Sequence, residues 1–483
     1  MLKKIQITFF TLLIISCSHS GHSEDNLDLF DLDEIRERGT LYAITSYSPI
    51  SYFVYRGEPM GYEYDLLKLL AEELGVDLEL IVAKDIDQMI EMLNNGDGDI
   101  IAHSLTILND RAERVQFTHA LNTTRQVLVQ KKPDEWRSMR LHETEGIMTR
   151  NPINLKGETI YVRKGSSYVS RLNNLAQEIG GTINVIEASG GETTDDLISL
   201  VAEGSIRYTI SDENIAKVNQ SYYPNIDIET AISLPQQTAW AVRKNSTKLL
   251  EAVNEWITAM QSQSDYYVIY NKYFENGQAY RNRAQSKFLS YQGGQISEFD
   301  DIIVKYAENT NLDWKLFAAL IYQESEFNPN ARSWAGAIGL MQLMPRTAIA
   351  YGANDPLNPV DNIKAGSKFI QWLENYWSDK IPDEDERMKF VLASYNVGQG
   401  HVQDARRLAQ KYDSNPDRWE DVADFLLKKS NKKYYNDEVV RYGYCHGEEP
   451  VNYVREIMYT YNHYKKAVML YDRFNYDPEL VIN

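Results

Sequence analysis

Apolar residues along this chain change their spacing twice, and the changes divide it into regions. From Leu41 onward, short apolar runs at Leu41–Ile44, Leu78–Val82 and Asp99–Ala102 alternate with stretches at helical spacing, Tyr64–Leu74 and Ile86–Leu93. Such runs read as strands and the periodic stretches as helices, so an α/β region is expected over residues 39–276. Between Gln278 and Gln295 the periodicity fades into Ala, Arg, Ser, Gln and Gly, which predicts a linker over 277–296. Beyond it Phe299, Ile302, Ile303 and Tyr306, then Leu316, Phe317, Leu320 and Ile321, recur three and four apart. Similar stripes run to Tyr471 and predict a mainly α domain over 297–483. The fold class read from this pattern is multidomain, an α/β part followed by a mainly α part.

With 483 residues, the chain has room for two or three folding units. Ahead of them Lys3 and Lys4 precede an apolar run, Ile5–Ile15, too short to span a bilayer; this is the architecture of a targeting segment. The run ends in Ile14-Ile15-Ser16-Cys17, which resembles the bacterial lipobox, with isoleucine where leucine is most frequent. The resemblance implies a signal peptide over 1–17 ending at a lipidated Cys17, and a periplasmic lipoprotein anchored to a membrane without spanning it. Ser18 after the cysteine favours the outer membrane under the enterobacterial sorting rule. A plain secretory signal with a chance cysteine is the alternative. Residues 18–38, polar and acidic through Asp33, are expected to form a solvated tether.

Charge and cysteine count narrow the function classes. Fifty basic against 69 acidic residues give a net charge of −19, which repels nucleic-acid backbones and anionic membrane surfaces alike. Once Cys17 is lipidated, Cys445 is the remaining thiol, so an intrachain disulfide is excluded and a structural zinc site lacks ligands. No metal-ligand cluster or phosphate-cradling loop is present, and no cofactor is expected.

Candidate chemistry starts at Asp313–Phe327, which reads as a helix with Leu316, Leu320 and Glu324 four apart on one stripe. A carboxyl that ends an apolar face is either buried, with its pKa raised as a proton donor near neutral pH requires, or merely solvated at a helix terminus. Gly336 and Gly339 permit close backbone approach in the loop carrying Met341 and Gln342. Gln342 and Asn396 offer amide groups suited to sugar hydroxyls and N-acetyl groups. Tyr395 and Tyr453 are candidates to hold the carboxyl, to stack on a sugar or simply to pack in the core.

Glu324-Ser325, Asn328-Pro329, Ala331, Gly336-Ala337-Ile338-Gly339-Leu340-Met341-Gln342 and Met344-Pro345 resemble the opening motifs of the soluble-lytic-transglycosylase, goose-lysozyme-like domain. Asn362-Ile363 with Ala365-Gly366, Ser394-Tyr395-Asn396 with Gly398, and Glu449 with Tyr453-Val454 match its later motifs in order. Val397, Gln399 and Pro450 depart from the usual pattern without removing a reacting group. The resemblance implies cleavage of the β-1,4 bond between N-acetylmuramic acid and N-acetylglucosamine in peptidoglycan, with formation of a 1,6-anhydro sugar. Glu324 is the implied single acid/base, and Ser325, Met341, Gln342, Tyr395, Asn396, Glu449 and Tyr453 are the implied substrate-binding residues. Glu449 is expected to support the acid by proximity or hydrogen bonding, since no second carboxylate matches the nucleophile of an ordinary two-carboxylate glycosidase.

Residues 39–276 resemble the periplasmic solute-binding proteins of the amino-acid type. The matching elements are Gly61-Tyr62-Glu63 with Asp65-Leu66, Leu93 with Gly96 and Asp99, Thr106 with Arg111 and Phe117, Leu155-Lys156-Gly157, Val162 with Gly165-Ser166, and Tyr208–Asp212, where Arg207 replaces an expected aspartate. The resemblance implies two α/β lobes joined by crossover strands at Arg125–Lys131 and Thr238–Arg243. An amino acid or muropeptide would bind between them on Thr106, Arg111 and Asp212. Arg111 would pair with its carboxylate and Asp212 with its ammonium. The structural alternatives are a solvated Arg111 and an Asp212 that caps the helix at Glu213–Val218. For the whole chain, the reading is a peptidoglycan-cleaving enzyme with a regulatory sensor. A glycan-binding lipoprotein without catalysis and a hydrolytic muramidase on the same fold are the competing readings.

Overall fold

A computed structural model describes residues 31–188, 192–284, 286–290 and 294–475. The targeting segment and Cys17 lie outside the described residues. The α/β part contributes strands β1 (Thr40–Ser46), β2 (Phe53–Tyr55), β3 (Glu58–Met60), β4 (Asp77–Ala83), β5 (Ile100–Thr106), β6 (Gln116–Phe117), β7 (Asn122–Thr124), β8 (Gln126–Lys131), β9 (Thr159–Val162), β10 (Asn184–Glu187), β11 (Tyr208–Asp212), β12 (Ile226–Ala231) and β13 (Gln236–Val242).

These strands form two sheets, one per lobe, in the orders β4-β1-β5-β13-β6, with β7 also on β13, and β10-β9-β11-β8-β12. β1 runs parallel to β4 and β5, whereas β13 pairs antiparallel with β5 and β8 antiparallel with β11 and β12. An antiparallel strand in each otherwise parallel sheet is what a chain that leaves one lobe and returns must leave behind. The handover falls at Arg125, between β7 on the first sheet and β8 on the second, and again between β12 and β13. Both expected crossover segments are thus present as β8 and β13.

Two boundaries differ from expectation. The tether expected over 18–38 ends in a folded helix, Leu32–Arg38, because Asp31 and Glu34 complete a capping box and Leu32 and Ile35 are buried. Asp31 also accepts hydrogen bonds from the Lys248 and Leu249 amides, which ties this helix to the first lobe. The linker is likewise docked. Its helix Gly277–Ala284 packs on the second-lobe helix Glu213–Tyr222 with Tyr280 buried. Leu289 then pairs with Tyr55, and the Ser290 hydroxyl accepts from the Val54 amide at 2.9 Å.

The mainly α part is built around the helix Trp314–Ser325, in which every residue from Leu316 to Ile321 is buried. It packs against the 28-residue C-terminal helix Glu448–Asn475. That helix also reaches the first lobe. Tyr52 shares a 2.6 Å hydrogen bond with His463 Nδ1, Tyr64 meets the Tyr459 hydroxyl at 3.1 Å, and the Lys466 ammonium donates to the Leu80 carbonyl at 2.7 Å. One apolar core consequently runs from the first lobe into the helical domain.

The tightest approach is the β2–β3 turn, where the Tyr464 hydroxyl donates to the Gly57 carbonyl at 2.9 Å. Gly57 has φ +85°, and a Cβ there would sit 2.6 Å from the Phe327 ring, 2.6 Å from the Tyr464 hydroxyl and 2.8 Å from the Tyr322 ring. Only glycine meets both the conformation and the space. Gly57→Ala is expected to cost about 2 kcal/mol or more through strain and overpacking, read as a lowered urea-unfolding midpoint at neutral pH.

Candidate active site and ligand cleft

Asp313 caps the helix Trp314–Ser325 through a 3.0 Å bond from the Lys315 amide, and the helix delivers Glu324 one residue before its end. The chain then turns sharply, with Glu326 and Phe327 at φ 50° and 59°. Left-handed backbone in consecutive side-chain-bearing residues costs energy and persists only where packing fixes it. Here Phe327 is buried against Tyr322, ring centroids 5.6 Å apart. Glu326 is exposed.

Leu316 and Leu320 are fully buried below Glu324, so its carboxyl does end an apolar stripe. Burial pushes the carboxyl up to about 7, against the opposing effect of a hydrogen bond donated by the Tyr453 hydroxyl to Glu324 Oε1. Tyr453 rises from the C-terminal helix and its own phenol is pushed well up by burial beside Glu324. Glu449, one helical turn before it, is exposed. Burial and the Tyr453 hydroxyl are what act on Glu324.

The opposite wall is the glycine-rich loop. Gly336 and Gly339 take φ 90° and 80°, as that loop's turns require. The Ser325 hydroxyl donates to the Leu340 carbonyl at 2.7 Å, fastening the helix end to the loop. Its proton is therefore engaged with backbone, and only its lone pairs face a ligand. Met341 corrects an expectation: its side chain is fully buried against the backbone of Gly366, where it packs as core and does not line a groove. Its amide and carbonyl are fixed by Asn362 Oδ1 at 2.8 Å and by the Tyr395 hydroxyl at 2.7 Å. Tyr395 thus holds the loop, and Tyr453 holds the acid. Gln342, at φ 44°, donates its amide to the Gly339 carbonyl at 2.9 Å and remains half-buried, as does Asn396 near the end of the helix Glu384–Val397.

A cavity lies between the two lobes of the α/β part and is lined by Thr106, Arg111 and Asp212. Arg111 is buried and donates to the carbonyls of Thr106 at 3.1 Å and Gly165 at 2.9 Å, which excludes the reading of a solvated surface charge. Asp212 precedes the helix Glu213–Tyr222 but makes no side-chain capping bond. Its carboxyl receives the Tyr168 hydroxyl at 3.3 Å, and burial pushes it up to about 7. Contacts across the cleft join Thr106 to Ser167 at 3.0 Å and Arg163 to His103 at 3.2 Å. His103 and Arg163 were not singled out from sequence. The only signal was position, since His103 lies on β5 three residues before Thr106, and Arg163 follows Val162 in a quoted motif.

Glu324 should titrate near pH 7, and Tyr453→Phe should move its midpoint upward by removing the hydroxyl that favours the carboxylate. Carbon-13 NMR of labelled glutamate measures both. Because the folded carboxyl titrates above its ordinary 4.5, the stability it carries is full below about 4.5 and is lost as pH rises through about 7. Glu324→Gln should therefore stabilise the fold more at pH 8 than at pH 4.

Comparison with known proteins agrees with this geometry. Residues 40–276 match the family of bacterial extracellular solute-binding proteins, family 3, and residues 301–419 match the transglycosylase SLT domain. The chain is 36% identical to the membrane-bound lytic murein transglycosylase F of Desulfosudis oleivorans, over 90% of this chain and 92% of that one. It is 33% identical to the protein of the same name from Pseudomonas putida, over 89% and 86%. Among solved structures, an ancestral amino acid-binding protein, a precursor of cyclohexadienyl dehydratase, aligns at 26% identity and a TM-score of 0.40, covering 50% of this chain and 98% of its own. With both domains matched in order and relatives above 30% identity along nearly its full length, the chain belongs to the membrane-bound lytic murein transglycosylase F family.

Proposed function

We propose that this protein cleaves the β-1,4 bond between N-acetylmuramic acid and N-acetylglucosamine in peptidoglycan, leaving a 1,6-anhydro end, with Glu324 as the one acid/base. The observation that carries the reading is a carboxyl pushed up to about 7 in an apolar recess, with a tyrosine hydroxyl as its hydrogen-bond partner. Such a group holds a proton at neutral pH and is still a competent base once it has lost it. Glu324 gives its proton to the bridging oxygen as the C1–O bond breaks. The resulting carboxylate takes the proton of the muramoyl 6-hydroxyl as that oxygen bonds to C1, so the enzyme returns to its starting state and water is not consumed. An inverting or retaining hydrolase needs a second carboxylate about 5–9.5 Å from the first. The influences on Glu324 are burial and the Tyr453 hydroxyl, with no second carboxylate among them. Gln342, Asn396 and the backbone of the Gly336–Gln342 loop are assigned to holding the sugars, with Ser325, Met341 and Tyr395 shaping that loop from behind.

The cleft between the lobes is assigned to an amino acid or muropeptide, held by Arg111 and Thr106 at its carboxylate and by Asp212 at its ammonium. Cross-cleft contacts through Gly165, Ser167 and Arg163 favour the closed arrangement, and a ligand that binds it more tightly shifts the population toward it. A mechanical route to Glu324 exists in the linker, which packs on the second lobe at 277–284 and on the β2–β3 hairpin at Leu289 and Ser290. The tip of that hairpin touches Tyr322 and Phe327, on either side of Glu324. We assign residues 1–17 to a signal peptide and Cys17 to a lipid anchor in the outer membrane, with the body in the periplasm. None of the described helices is long and apolar enough to cross a membrane.

Digestion of purified sacculi with product analysis by mass spectrometry tests the chemistry. Wild type should release 1,6-anhydro-ended fragments, and Glu324→Gln should be slower by about 10²–10⁴-fold; products with free reducing ends only would refute the reading. For the sensor, adding a soluble muropeptide digest should change the rate of wild type and leave that of Arg111→Ala unchanged. Equal responses in both would remove the ligand assignment.

A further inference from the structure

The helix Pro359–Ser378 passes directly behind the candidate active site, because Gly366 lies against Met341 and its neighbour Phe369 contacts the Tyr395 ring at 5.3 Å. From Phe369 a row of rings leads away along the same helix. Phe369 and Trp372 stack at 6.1 Å with planes 17° apart, and Trp372 and Tyr376 at 6.0 Å with planes 28° apart. Spacings of three and four place the three on one flank, beside the buried face of Ile370, Leu373 and Trp377. The row is not core. Trp372 is 41% exposed, and Phe369 and Tyr376 are half-buried. The Lys380 ammonium lies 3.9 Å from the Tyr376 ring centroid and ends the row.

Near-parallel rings that are only partly covered leave apolar faces in water, where they lose the burial that normally stabilises an aromatic side chain. An occupant that restores it must be flat, apolar on its faces and polar at its edges. A pyranose ring has that character, with axial C–H bonds on its faces and hydroxyl and N-acetyl groups at its rim. The polar residues beside the rings in sequence, Lys368, Gln371 and Asn375, are all exposed and carry donors and acceptors. The acidic residue within the row, Glu374, is turned inward onto Arg387 at 2.6 Å and presents no repelling charge. From Phe369 to Tyr376 the row extends about 10 Å along the helix, more than one sugar ring.

We propose that Phe369, Trp372 and Tyr376 form a distal binding track for the glycan strand, linked to the active-site loop through Tyr395. The inference rests on the assignment of peptidoglycan as substrate and extends it beyond the sugars flanking the broken bond. The track holds a strand that already occupies the cleft. Its contribution therefore appears in affinity for long strands and not in the bond-breaking step.

Co-sedimentation of full-length Glu324→Gln protein with purified sacculi reads binding without cleavage. Adding Trp372→Ala should weaken that binding about three- to tenfold, and Trp372→Tyr should restore most of it. In the cleaving enzyme, Trp372→Ala should raise KM for long soluble glycan strands while kcat changes less than about twofold. Binding within twofold of the parent, absence of binding by the Glu324→Gln parent, or an equal loss in Trp372→Tyr would each overturn the track. The chemical reading fails separately, through the product ends of the wild type, so the two outcomes are distinguishable.

Discussion

The carboxyl of Glu324 is bonded to a helix that belongs as much to the other half of the molecule. Tyr453, near the start of the C-terminal helix, reaches the acid, while Tyr459, His463, Tyr464 and Lys466 further along the same helix are seated on the first lobe. The span from Tyr453 to Lys466 is about 20 Å of rigid rod. A proton donor tuned by burial depends on the depth of its recess, so any change that lifts or tilts this rod alters the recess and with it the acid. Burial of His463 shows how dry the seam is. The imidazole is pushed down to about 3, with Lys466 and Lys68 adding to the effect. Stability from that neutral histidine is present above its ordinary value near 6.5 and is lost progressively as pH falls from there toward 3.

The two sites follow a common logic with different hardware. In each, an acidic side chain is pushed to about 7 by burial and answered by one tyrosine hydroxyl, Glu324 with Tyr453 and Asp212 with Tyr168. They differ in what surrounds the pair. Arg111 lines the inter-lobe cavity with Asp212 and favours its charged form. No such counter-charge acts on Glu324.

Much of this was legible in the residues. The alternation that predicted strands at Leu41, Leu78 and Asp99 corresponds to β1, β4 and β5, and the stripe through Leu316, Leu320 and Glu324 survives as a buried helix face. What spacing could not convey was the role of side chains whose partners are distant in sequence. Met341 sits in a motif and reads as a groove residue, yet the absent side chain of Gly366 makes room for it in the core. Glu449 shares a motif and a helix face with Tyr453, yet it is the phenol that bonds to Glu324 while the Glu449 side chain is exposed. The stretches 31–38 and 277–290 lack long apolar periodicity because each docks through a few residues, Leu32, Ile35, Tyr280 and Leu289, onto surfaces made by other segments. Short contacts of that kind leave no periodic trace.

The docked turn at Gly57 bears on how such a protein evolves. A glycine wedged among Phe327, Tyr464 and Tyr322 is a steric key cut for one lock. A different solute-binding module could be grafted onto the lytic domain only if it carried a hairpin of the same shape and a socket for the terminal helix. Recombination at the linker alone would strip an aromatic surface bare. The two domains are therefore sterically matched at this turn, and a change in one surface calls for a change in the other.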